Sequence, residues 1–140
     1  MSSISKVQKK VQDILSSAFG SVRVSADGSI KIPYESTMVN ISVEEWLNDQ
    51  SIVVLNGIIA SDSKSNTSVY EWINTQNAAL RIGNIYHLPG KNNITILSYS
   101  ILGDFLDPEE LTNALRAVVF LADKLDDEFT QKFGGSRFID

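Results

Sequence analysis

The chain switches between two hydrophobic periods. From about Ser5 to Phe19, the residues Val7, Val11, Ile14, Leu15 and Ala18 fall on one side of a 3.6-residue repeat, which predicts an amphipathic helix. Ser5 with Gln8 three residues later fits a capping box at its start, and Gly20 fits its stop. A period of two then takes over. "SVRVS" and "IKIPY" alternate on either side of Asp27-Gly28, the signature of a hairpin. In "TMVNISVEEW", Met38, Asn40, Ser42 and Glu44 alternate with Val39, Ile41, Val43 and Glu45, so an apolar face backs a polar one, as in an antiparallel sheet half open to water. "SIVVLNGIIA" at 51–60 is apolar on both faces and suits a central strand. Its Asn56-Gly57 pair reads either as a tight turn or as a bulge within one longer strand. The bulge is favoured, because two four-residue strands would be short beside their neighbours.

The polar stretch "ASDSKSNTS" is a loop, after which helical spacing returns from about Thr67 to Asn77 with Val69, Trp72, Ile73 and Gln76 on one side. "LRIGNIYHL" and "ITILSYSIL" flank the turn "PGKNN" as a second hairpin. The last helix is the clearest element. Asp107 is a good N-cap, Pro108 takes the first helical position and Glu110 completes a capping box. Leu111, Leu115, Val118, Ala122, Leu125, Phe129 and Phe133 then step by fours and threes as one buried stripe, and Gly134 supplies the left-handed residue that ends such helices. The order is helix, three or four strands, helix, two strands, helix, without a repeat or a domain boundary. It predicts one α+β domain over residues 1–140: an antiparallel sheet of five to six strands with helices packed on one face.

Composition narrows the functional classes. The 140 residues are 43% hydrophobic and 21% charged, as expected of a globular chain that buries a core. There is no cysteine, so disulfides, thiolate chemistry and cysteine-held metals are excluded. No apolar run approaches the roughly 18 residues of a membrane span, and the N-terminus carries lysines where a signal peptide needs apolar residues. A cytoplasmic location is expected. Net charge is −5, and the last 40 residues hold nine acids against four Lys or Arg. A nucleic-acid partner would need a basic footprint; the one basic cluster, Lys6, Lys9 and Lys10, reads as the wet side of a helix.

Candidate chemistry is thin. In "ADKLDDEFTQKFGG", Asp123, Asp126 and Asp127 fall outside the apolar stripe and read as a solvated helix face; nothing there matches a calcium loop. His87, the only histidine, cannot build a histidine metal site alone. No phosphate-cradling glycine motif and no nucleophile elbow occurs. The reading is therefore of no catalytic residue, no cofactor and no metal. Three aromatics stand apart: Trp46 at a strand end, and Tyr70 and Trp72 on the second helix, where they cannot both face the same way. They serve either as core or as a partner-binding surface, where such residues are enriched.

"YSILGDFLDPEELTNALRAVVFLADKLDDEFTQKFGG" resembles the bacterial YbjN family, whose fold is that of the type III secretion chaperones. The likeness rests on Leu102, Gly103, Asp104, Leu106, Asp107, Glu110 and Leu111 at the helix entry, and on Ala122, Asp123, Leu125, Asp126, Asp127, Phe133, Gly134 and Gly135 at its end. It implies an α-β-β-β-α-β-β-α domain, a homodimer, that binds a protein or peptide partner without catalysis and has no catalytic residues to transfer. The competing expectation is a small-ligand sensor or an enzyme, with a pocket between sheet and helices lined by His87, Tyr86 or Tyr99.

Overall fold

The computed structural model describes residues 3–137. Its elements are α1 (Ser3–Phe19), β1 (Arg23–Val24), β2 (Ile30–Tyr34), β3 (Thr37–Trp46), β4 (Gln50–Ala60), α2 (Thr67–Ala79), β5 (Asn84–Leu88), β6 (Ile94–Leu102) and α3 (Pro108–Phe133). The strands form one antiparallel sheet in the order β1-β2-β3-β4-β6-β5. This is the expected α+β architecture with four strands before α2, the fourth being the two-residue β1. α1 starts at Ser3, so Ser5 lies inside the helix and not at its cap.

The central strand settles the Asn56-Gly57 question. Pairing with β3 runs without a break through Asn40↔Asn56 and Val39↔Gly57, so the segment is one strand and not a hairpin. The register slip against β6 comes later, between Ile58 and Ala60. Gly57 has a packing cause: a Cβ there would meet the Ala122 Cβ at 3.0 Å and the Val118 Cγ1 at 3.1 Å. The missing side chain lets α3 lie down on β4, which is one of the recurring uses of a strand glycine.

Alternation divides the sheet into two unlike faces. Ile30, Val39, Ile41, Val53, Leu55, Ile59, Leu97 and Ile85 point towards the helices and join Val7, Val11 and Leu15 of α1 and the α3 stripe in one core. All seven stripe positions from Leu111 to Phe133 are buried. The opposite face carries Ile52, Val54 and Ile58 of β4 and Ile96 of β6, all half-buried, with no helix over them. A row of Asn40, Asn56, Ser98 and Asn84 crosses it.

The family-like residues hold ends in place. The Asp107 carboxylate accepts from the Glu110 N–H at 2.8 Å, as the cap pattern predicts. Asp104 accepts from the Ser51 N–H at 2.7 Å, and Gly103 sits where a Cβ would strike the Ser51 hydroxyl. Past α3, Gly134 turns with φ of 74° and Ser136 pairs with Ser61, tying the helix end to the end of β4. Each of these contacts is architectural.

Candidate functional site

The helix layer leaves a groove on one flank of α3, of about 1150 Å³. Its floor is Ile32, Pro33 and Tyr34 of β2 with Met38 of β3; one wall is Phe19 at the end of α1 and Ser21–Arg23; the other is Leu115, Arg116, Val119 and Phe120 of α3. Short segments make it possible. β1 pairs for only two residues, so it shields β2 at Ile30 and Lys31 and leaves Ile32–Tyr34 on the edge of the sheet. Proline suits that edge because it has no N–H to donate to a ladder.

The lining is apolar and wet. Phe120 is 63% exposed, and Phe19 and Tyr34 are nearly half exposed. Large aromatics at such exposure mark interaction surfaces, because covering them releases water from apolar area. Arg23, Lys31 and Arg116 also line the groove, and no carboxylate does. Its volume exceeds the usual range of about 300–1,000 Å³ for small-molecule pockets, and its open form suits a length of chain.

On the other flank of α3 the packing is closed. Trp72 of α2 sits edge-on to Phe129 and Phe133, with ring centroids 5.3 and 6.2 Å apart. Asn77 donates its amide to the Ile85 carbonyl at 3.0 Å and accepts the Ile85 N–H at 2.7 Å. One side chain thus occupies both main-chain groups of an edge-strand residue, which limits that edge as a template for a further strand. A smaller hollow of about 390 Å³ remains between Leu80–Ile82 and Leu121–Glu128.

The residues singled out from the sequence lie apart. Trp72 is 7% exposed and belongs to the core, its indole N–H without a protein acceptor. Tyr70 is 46% exposed and stacks edge-on over His87, centroids 5.5 Å apart. Trp46, 48% exposed, ends β3 on the uncovered sheet face. His87 is buried between Thr95, 2.8 Å from Nδ1, and Ser65, 3.0 Å from Nε2; burial pulls its pKa down. Tyr86 and His87 point to opposite faces of β5, so no common pocket gathers them with Tyr99. Among the described residues no group of three or more His, Cys, Asp or Glu could hold a metal ion, and no helix is long and apolar enough to cross a membrane.

One sequence expectation is corrected. Asp127 is exposed and pairs with Arg137, but Asp126 is fully buried. The Ser36 hydroxyl lies 2.9 Å from Asp123 Oδ1 and 2.5 Å from Asp126 Oδ2, while Asp126 Oδ1 has no partner. The helix period places Asp126 beside the stripe, and the β2–β3 turn folds over it. That long-range cover was invisible in the local pattern. The groove residues were missed as well, although Phe120 gave a signal: a large aromatic outside the apolar stripe of α3, four residues after Arg116.

A search of curated proteins finds no match to the chain. Among solved structures it is similar to the ExsC–ExsE complex (TM-score 0.67, 13% identity, covering 92% of this chain and 97% of that one). It is also similar to YbjN from E. coli (0.68, 8%, 89% and 93%) and to the HopA1–SchA chaperone–effector complex (0.63, 11%, 88% and 96%). At such identities these likenesses speak for the fold alone. The sequence itself carries the family assignment: residues 5–140 match TY-Chap1, and the chain belongs to this family of T3SS (YopN, CesT) and YbjN peptide-binding chaperones.

Proposed function

We propose that the groove between β2 and α3 receives an extended polypeptide segment, and that the chain acts as a non-catalytic, single-domain chaperone module of the bacterial cytoplasm. The observation that carries this is the open apolar lining around Phe19, Tyr34 and Phe120, beside a strand edge left uncovered past Lys31. Strand edge and apolar hollow together are what peptide recognition by strand addition uses. Related folds support the reading, since three of them were solved as ExsC–ExsE, as HopA1–SchA and as the Yersinia pestis secretion chaperone SycH with a fragment of YscM2. No nucleic acid, membrane or cofactor has a part in it.

The open sheet face suits a second copy of the chain. Ile52, Val54, Ile58 and Ile96 form an apolar field on it, and Trp46 and Leu102 stand at one end. A homodimer through this face leaves the groove free on each protomer. Tyr70 stands apart from both surfaces as a further aromatic contact for a partner.

The test uses the whole chain, tagged and recovered from its native cells. Wild type is expected to bring down one polypeptide in stoichiometric amount; Phe120→Asp is expected to lose it while keeping the same melting temperature. Equal recovery by both proteins rejects the groove. Sedimentation tests the dimer separately: Ile96→Lys is expected to give monomer, and an unchanged dimer places the interface elsewhere.

A further inference from the structure

The groove carries a charge that the rest of the chain does not. Acids outnumber Lys and Arg by 17 to 12, yet the groove is lined by Arg23, Lys31 and Arg116 and by no carboxylate. Arg23 and Arg116 join none of the ion pairs found among the described residues, while Lys31 is partly engaged within the protein. The ion pairs among the described residues join Lys9 to Asp13, Lys132 to Glu128 and Arg137 to Asp127, all with other cations. Lys31 donates to the Ser25 hydroxyl at 3.0 Å. It also helps, after the Ser29 N–H and hydroxyl, to hold the Asp27 carboxyl below its ordinary range. Carboxylates stand outside the lining but near it: Asp27 beside Lys31, Glu35 next to Tyr34 in the chain, and Asp123 and Asp126, which are tied to Ser36.

We infer that the segment this groove takes is acidic as well as apolar, with carboxylates set between the large side chains that fill it. The inference rests on the groove being the peptide site and adds the chemistry of its occupant. Arg116 stands on the α3 wall, while Arg23 and Lys31, in register with each other and with Asn40, rim the hollow from the open-face side of β2. An incoming carboxylate gains charge-assisted hydrogen bonds there and a lysine meets like charge. The net charge of −5 repels acidic chains at a distance. Within the Debye length of about 8–10 Å near physiological salt, the cations that line the groove act on its occupant more strongly than distant charges do. Three cations among so many apolar groups make a poor phosphate-backbone track, which needs a continuous basic stripe.

Three labelled peptides test this, equal in length and in their Leu and Phe positions, with Glu, Lys or Ser between them. Fluorescence anisotropy with the full chain is expected to rank Glu above Ser above Lys, the Glu peptide binding roughly tenfold tighter than the Ser peptide and losing that margin as salt is raised. Triple reversal (R23E, K31E, R116E) is expected to put the Lys peptide first. Arg23 and Arg116 are exposed and Lys31 is half-buried, and the salt response of the unaltered protein gives the same answer should the variant fail to fold. Equal affinity for all three peptides overturns the acidic preference and leaves the groove reading standing. Persistence of the Glu preference after reversal places the acidic site elsewhere and also overturns the inference. Tight binding of a single-stranded oligonucleotide or an anionic vesicle through the same cations overturns it in favour of a different macromolecule. Failure of every peptide to bind, with no change on Phe120→Asp, sinks the groove reading itself.

Discussion

The two flanks of α3 use the same kinds of residue to opposite ends. Towards α2, aromatic rings are stacked and edge hydrogen bonds are filled: Trp72 lies against Phe129 and Phe133, and Asn77 occupies Ile85. Towards α1 and β2, Phe19, Tyr34 and Phe120 are left in water beside an unshielded strand edge. An aromatic ring is thus stabilising on one flank and available on the other, and only its neighbours decide which. The closed flank also limits strand pairing with other chains at Ile85 of β5.

The difference is largest for matched truncations. Trp72→Ala should cost roughly 3–5 kcal/mol, the usual range for removing a large buried aromatic. Phe120→Ala, an equally drastic change on paper, should move stability by less than about 0.5 kcal/mol, because the ring has little packing to lose. Denaturant unfolding of the two variants measures the contrast directly. Comparable losses would mean that Phe120 belongs to the core and that the groove is not open in solution.

Asn77→Ala probes the closed edge more gently. It leaves the N–H and C=O of buried Ile85 without their protein partner, which should cost about 1 kcal/mol net of what water recovers. It also uncovers part of β5 for pairing. Size-exclusion profiles over a range of concentrations should therefore show association beyond the wild-type state. A variant that is destabilised without associating further would assign Asn77 a purely stabilising part.

Much of this architecture could be read locally. The strand alternation at Val39–Val43 and the seven-residue stripe of α3 each follow from a single element's own period, and so do the caps at Asp107 and Gly134. What the sequence hid depends on distant partners. Gly57 looked like a turn or bulge signal because its real cause, the approach of Ala122 and Val118, lies more than sixty residues away. Asp126 looked solvated because Ser36, which covers it, belongs to another hairpin. The groove likewise joins α1, β2 and α3, and no stretch of chain announces it. Trp46, Tyr70 and Trp72 were conspicuous by type, yet residue type alone could not place Trp72 in the core and Phe120 at the surface.

The tie between Asp126 and Ser36 links the two flanks, since it fastens the hairpin that floors the groove to the helix that both flanks share. One serine hydroxyl carries one proton, but two carboxyl oxygens lie within hydrogen-bond reach of it. With both carboxylates ionised, one of them would face an oxygen lone pair. The arrangement is satisfied when Asp126 is protonated and donates to Ser36, which in turn donates to Asp123. Burial raises the Asp126 pKa above its ordinary 3.8 and the charges of Asp127 and Asp123 add to the rise, while a hydrogen bond donated by Ser36 to the ionised form, and Arg137, oppose it. The folded state therefore holds this proton more tightly than the unfolded chain. Its stabilising effect is complete below the unfolded pKa and is lost as pH rises through the folded one. Asp126→Asn keeps a donor towards Ser36 and cannot ionise. Near neutral pH it should be more stable than wild type by about 1 kcal/mol, with the gap closing as pH falls towards the unfolded pKa. The other carboxylates titrate in both proteins, so the difference between their stability–pH curves isolates this one group. A gap that stays constant with pH, or one that widens in acid, would show that Asp126 is ionised in the fold and that the hairpin is held by the charge and not by the proton.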